Sequence, residues 1–121
     1  MTDIQYAFNL IETVDPLTKH VLKTYHHQSG FVIKILPRPG FSRRFAALTV
    51  PYGSIHTTFI RDGQHVTVPD GSAHFLEHCV FSRDDEGGLL GRLSALGASA
   101  NAYTSHTHTL YYFSSVADFG T

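Results

Sequence analysis

Apolar and β-branched positions divide the chain into short runs, and the runs differ in period. Residues Thr2 to Val14 carry Ile4, Phe8, Ile11 and Val14 at helical spacing. No strong cap opens the segment and Asp15-Pro16 closes it, so helix and strand both remain open there. Lys19 to Tyr25 leads through His26-His27-Gln28-Ser29-Gly30 into Phe31 to Leu36, and two β-rich runs around a Gly-ended polar loop predict a hairpin. Pro37-Arg38-Pro39-Gly40 stops the second of these strands. Phe45 to Val50 is nearly apolar throughout, which predicts a central strand, and Pro51-Tyr52-Gly53-Ser54 ends it. Thr57 to Val68 is polar and β-branched with Asp62-Gly63 in its middle, an irregular or hairpin excursion. A helix is expected from Ser72 through Phe81, and a second from Leu89 to Leu96, with Gly97 as its stop. Asn101 to Ser114, rich in Tyr, Thr and Phe, is expected as one long strand. The order β-β-β-α-α-β is an α+β plan: a mixed, largely antiparallel sheet with helices packed on one face.

Length changes that picture only by setting its scale. The 121 residues suit one domain or part of one, and 42% hydrophobic content can supply a core. A net charge of -1 lacks the basic footprint of a nucleic-acid binder, so no nucleic-acid partner is expected. No apolar run approaches the roughly 20 residues of a membrane span, and the N-terminus lacks the basic-then-apolar plan of a secretory signal. No membrane partner is therefore expected. The single cysteine, Cys79, excludes an internal disulfide and fits a reducing, cytoplasmic setting. Nine histidines are many for this length. They turn attention to spacing.

The sharpest spacing is His74-Phe75-Leu76-Glu77-His78. On a helix, His74 and His78 sit one turn apart on one face and can present two imidazole nitrogens to a single zinc ion. Glu77 can lie beside that ion without ligating it, where a general base takes a proton from water. Two histidines four apart also arise by chance on exposed helices. The ordering H-x-x-E-H, the inverted form of the zincin motif, separates the two readings.

The stretch Val68 to Phe81 resembles the metal-binding helix of the pitrilysin/insulinase family of zinc metallopeptidases. Gly97-Ala98-Ser99-Ala100-Asn101-Ala102-Tyr103-Thr104-Ser105 resembles the family's glycine-then-Asn-Ala strand, and Leu110-Tyr111-Tyr112-Phe113 its continuation. Ser29-Gly30-Phe31-Val32-Ile33 resembles the opening turn and strand, with Ser in place of the usual Asn. The compact acidic connection Arg83-Asp84-Asp85-Glu86 is closer to divergent bacterial, processing-peptidase-like members. The resemblance implies one zinc ion, His74 and His78 as ligands, Glu77 as catalytic base, and Asn101 and Ala102 on a strand where an extended peptide or small protein substrate adds. It implies a metalloendopeptidase that hydrolyses peptides through a zinc-activated water. The family's third ligand is a glutamate that its spacing places beyond Thr121, and catalytic zinc needs three protein ligands. Residues 1–121 are therefore expected to form a single partial domain, the first half of a catalytic domain, inactive alone. Its expected partners are the second half of that domain or a homologous domain or subunit. The alternative is a non-catalytic peptide-binding or structural subunit of the same fold, and a simple metal-binding protein is a third reading.

The remaining candidates have plainer explanations. His106 and His108 would share one face of the expected long strand, as exposed histidines rather than a second metal site. His26-His27 is expected in a solvated turn, and His20, His56 and His65 have no partner at ligand spacing. Cys79 is expected as a buried, inert thiol, and Asp84, Asp85 and Glu86 as a solvated charge run. Tyr103, Tyr111, Tyr112 and Phe113 suit strand packing. The long aromatic strand has no lysine or proline to blunt an edge, and Phe75, Leu76, Leu89 and Leu93 need a neighbour, so a homodimer is expected of the isolated chain.

Overall fold

A computed structural model describes residues 8–82 and 88–116, which fall into two compact units, Met1–Phe41 and Ser42–Thr121. In the first unit, β1 (Phe8–Val14), β2 (Val21–His27) and β3 (Val32–Ile35) form an antiparallel sheet in the order β1-β2-β3. The open question over the first segment resolves to strand. Every residue of β1 has a partner on β2, from Phe8↔His27 to Val14↔Val21, and this pairing outweighs the helical spacing of its apolar residues. Asp15 makes the turn possible, because its Oδ1 accepts from the backbone N–H of Leu17 (3.0 Å) and Thr18 (2.6 Å). The hairpin expected between β2 and β3 is present, with Gly30 at φ 88° closing its turn. His26 and His27 are the last residues of β2 rather than turn residues, and the His27 ring packs 4.8 Å from Phe8.

The second unit holds β4 (Arg44–Val50), β5 (Thr58–Arg61), β6 (Gln64–Thr67), α1 (Ser72–Ser82), α2 (Gly88–Ala95), β7 (Ala98–Thr104) and β8 (Thr109–Ser115). Two expectations change here. The long strand from Asn101 to Ser114 is two strands folded on each other, and the sheet order is β4-β8-β7. β8 is the central strand and β4 is not, and Phe45, Leu48 and Val50 are exposed, so the apolar run at Phe45 to Val50 does not mark centrality. The fold stays α+β, with antiparallel pairings throughout the described residues. The Asp84-Asp85-Glu86 run lies outside the described residues, as does Ile4 of the first segment.

Strand parity explains where the helices sit. Along β7 half-buried Ala98, Ala100, Ala102 and Thr104 alternate with exposed Ser99, Asn101 and Tyr103. Alanines on the inner face hold little volume, so α1 and α2 approach β7 closely. Gly97, at φ 74°, ends α2 and turns the chain into β7, with its N–H donating to the Ser94 carbonyl at 2.9 Å. A cavity of about 590 Å³ remains between helices and sheet, lined by Leu48, Leu76, Val80, Leu89, Leu93 and Phe113 among others. No large side chain among the described residues is fully buried, and Phe75 on α1 is 71% exposed.

Candidate functional site

Helix α1 starts where Gly71, at φ 84°, turns the chain, and the Ser72 hydroxyl donates to the Pro69 carbonyl at 2.7 Å. Its buried stripe is Ala73, Glu77 and Phe81, at i, i+4 and i+8. His74 and His78, one position on, fall on the exposed face. Their Nε2 atoms stand 3.0 Å apart with ring centroids at 4.6 Å. Two nitrogens at zinc-ligand distance in a tetrahedron would be about 3.3 Å apart, so this pair fits one zinc ion with a few tenths of an ångström of adjustment. Among the described residues, no group of three His, Cys, Asp or Glu comes together around a common point. Cys79 is half-buried rather than buried.

Glu77 is 8% exposed, and its carboxylate is engaged by another element: the Thr104 hydroxyl donates to Oε2 at 2.6 Å. That contact joins Glu77 on α1 to the last residue of β7. Tyr111, opposite Ala102 on β8, is held above its ordinary pKa of 10.0 by burial first and by the Glu77 charge second. Its ring also meets Phe81, with the ring centroids 5.6 Å apart.

Asn101 and Ala102 lie on β7, the edge strand of this sheet, and the register shows what the edge offers. Ser105 N–H donates to the His108 carbonyl at 2.8 Å, which makes that pair hydrogen-bonded and the next pair, Thr104↔Thr109, non-hydrogen-bonded. By alternation Ala102 also turns its N–H and C=O away from β8, toward the free edge. The Asn101 side chain meets that N–H, with Oδ1 accepting at 2.8 Å.

The turn between β7 and β8 is built from side chains. The Ser105 hydroxyl donates to the His108 carbonyl (2.9 Å) and accepts the His108 N–H (3.2 Å). His106 and His108 thus belong to a tight turn and share no strand face. A second loop docks on this turn: Ser54 N–H donates to the Ser105 carbonyl and Ile55 N–H to that of His106, at 3.0 and 3.1 Å. The buried Gly53 makes the approach possible, since a Cβ there would lie 2.5 Å from the His106 carbonyl group. His56, without a role in the sequence, accepts the Gly53 N–H at Nδ1 (2.9 Å). Thr104, Thr109 and Gly53 are the site residues that sequence reasoning missed. The signal available for the threonines was parity: both lie on the inner face, two residues apart from alanine or tyrosine neighbours.

Comparison with known proteins bears on the fold and the family. The sequence model described as insulinase, peptidase family M16, matches residues 46–118. The chain is 45% identical over 98 residues to the uncharacterized zinc protease YmfH of Bacillus subtilis, which covers 78% of this chain and 23% of that protein. It is 32% identical over 90 residues to AlbF of the same species, likewise named a zinc protease, covering 74% and 21%. An M16-like peptidase structure from Alicyclobacillus acidocaldarius superposes with a TM-score of 0.74 at 39% identity, over 89% of this chain and 25% of that one. The chain spans about a quarter of the length of these relatives.

Proposed function

Because the chain belongs to the insulinase family of peptidases, family M16, we propose that it carries the metal-binding and base-bearing helix of a zinc-dependent metalloendopeptidase. The observation that carries this reading is the division of labour on α1. Two imidazoles meet at 3.0 Å on the exposed face, while the carboxylate between them in sequence is buried and tied to β7. His74 and His78 would hold one zinc ion through Nε2, and the reading takes the third ligand from outside residues 1–121. When bound, zinc supplies Lewis-acid chemistry, polarising a carbonyl and making water acidic near neutral pH. Glu77 would take the proton of the attacking water and pass it to the leaving amine. An extended peptide would add along β7, where Ala102 turns its peptide groups outward beside Asn101.

The same reading makes residues 1–121 a single partial domain, working in the cytoplasm, with its cavity and uncovered leucines shielded by the rest of the catalytic domain or a homologous subunit. Alone, the chain would pair as a homodimer, bind zinc weakly and hydrolyse nothing. Light scattering coupled to size exclusion at micromolar concentration tests the pairing, and a sharp monomer would overturn it.

The deciding experiment measures peptide hydrolysis by the full-length protein with and without chelator, beside its Glu77→Gln variant. Loss of activity with chelator, and a loss of about 10²- to 10⁴-fold with zinc retained in Glu77→Gln, is the expected result. A wild type that binds peptide but never cleaves it would support the alternative, a non-catalytic peptide-binding or structural subunit.

A further inference from the structure

Glu77 occupies a place on α1 that would otherwise belong to packing. It sits between Ala73 and Phe81 on the buried stripe, where a carboxylate is tolerated only if a donor meets it. The donor is the Thr104 hydroxyl, 2.6 Å from Oε2. Counting protons fixes its direction, because a threonine hydroxyl has one proton and an ionised carboxylate only accepts. Thr109, facing Thr104 across the non-hydrogen-bonded pair, sends its own proton to the Tyr52 carbonyl at 2.8 Å. With that proton committed, a bond between the two threonines could form only with Thr104 as donor, and at 3.4 Å it is a weak competitor beside the 2.6 Å contact to Glu77. Tyr52 is brought there by the loop that Gly53 allows to dock on the hairpin turn.

We infer that Thr104 is a positioning residue for the base: its hydroxyl holds Oε2 of Glu77 and so selects the other oxygen, Oε1, to receive a proton. This inference rests on Glu77 acting as proton acceptor in the reading above. Misdirecting the carboxylate leaves the substrate edge and the two imidazoles in place, so the loss falls on turnover and not on binding.

The test has two arms. In the full-length protein, Thr104→Val should lower kcat by about tenfold to a hundredfold with KM and zinc content unchanged, and Thr104→Ser, which restores the hydroxyl, should recover most of it. In the 121-residue chain, carboxyl-¹³C glutamate labelling gives signals from three residues only, Glu12, Glu77 and Glu86. The Glu77 signal, identified by its loss in Glu77→Gln, should shift in Thr104→Val and return in Thr104→Ser. Thr104→Ala replaces the valine variant if that does not fold. An unmoved carbon signal overturns the inference, as does unchanged kcat in Thr104→Val when Glu77→Gln is inactive. Full activity in Glu77→Gln, or none in wild type, overturns the functional reading instead, and the carbon signal still decides whether Thr104 holds the carboxylate.

Discussion

Two hairpins in the second unit reverse the chain by different means. Between β5 and β6 the turn is Asp62-Gly63, both at positive φ (51° and 76°), and the backbone alone makes the reversal. Between β7 and β8 no residue of the turn has positive φ, and the Ser105 side chain closes it on His108. The first turn depends on its own two residues. The second depends on Ser105, on the docked 53–56 loop and on two threonines, and through Thr104 it reaches Glu77. A turn built from side chains can be wired to a site; one built from backbone torsion cannot.

The contrast can be broken most forcefully at Gly53. Gly53→Ala drives a Cβ to 2.5 Å from backbone atoms that cannot swing aside, and the expected cost is about 3 kcal/mol, the upper range for overpacking. A denaturant midpoint measures it, and the Glu77 carbon signal should move with it. Gly63→Ala has nothing within 4 Å to meet and is charged only for its left-handed torsion, about 1–2 kcal/mol. Its carbon signal should stay where it is in wild type; a shift there would mean the two hairpins are coupled after all. Ser105→Ala should cost about 1 kcal/mol in thermal unfolding and yet disturb Glu77, an inverse order of stability and site effect. The smallest effect is one of pH. Tyr111 is raised above 10.0 in the folded chain, so its stabilisation is whole below that pH and declines as pH rises through 10 and beyond. Tyr111→Phe should flatten that decline in a pH series of melting curves.

The same contrast explains what could be read from sequence. Asp62-Gly63 announces its turn because the residue types themselves favour the torsions, and Gly97 announces the end of α2 for the same reason. His74, Glu77 and His78 were legible because helical period alone places them. Ser105-His106-Thr107-His108 carries no such local mark, so two strands read as one, and His106 and His108 were placed on a face that does not exist. Its reversal is decided by a hydroxyl closing on a carbonyl three residues away and by a loop more than 50 positions earlier in the chain. Gly53 was read as the end of a strand, when its use is to let two backbones touch. β1 is ambiguous in sequence because its apolar spacing is helical while no cap opens the segment, and only the partner strand decides. Thr104 could be placed on the inner face by parity, but its partner Glu77 lies 27 positions away on another element.

The Asn101 side chain on the Ala102 N–H makes the outer edge of β7 a surface of exchange. An arriving strand does not find a bare donor there whose capture releases the full strength of a new hydrogen bond. It must first rotate the amide aside, giving up one bond to form another, so the net gain at that position is near zero. Indiscriminate edge-to-edge growth is thereby discouraged, since a chance neighbour gains little by docking. A chain that also offers the freed Oδ1 of Asn101 a donor of its own recovers the difference. Any strand added at this edge would be selected by that two-bond swap, at the cost of a single side-chain torsion.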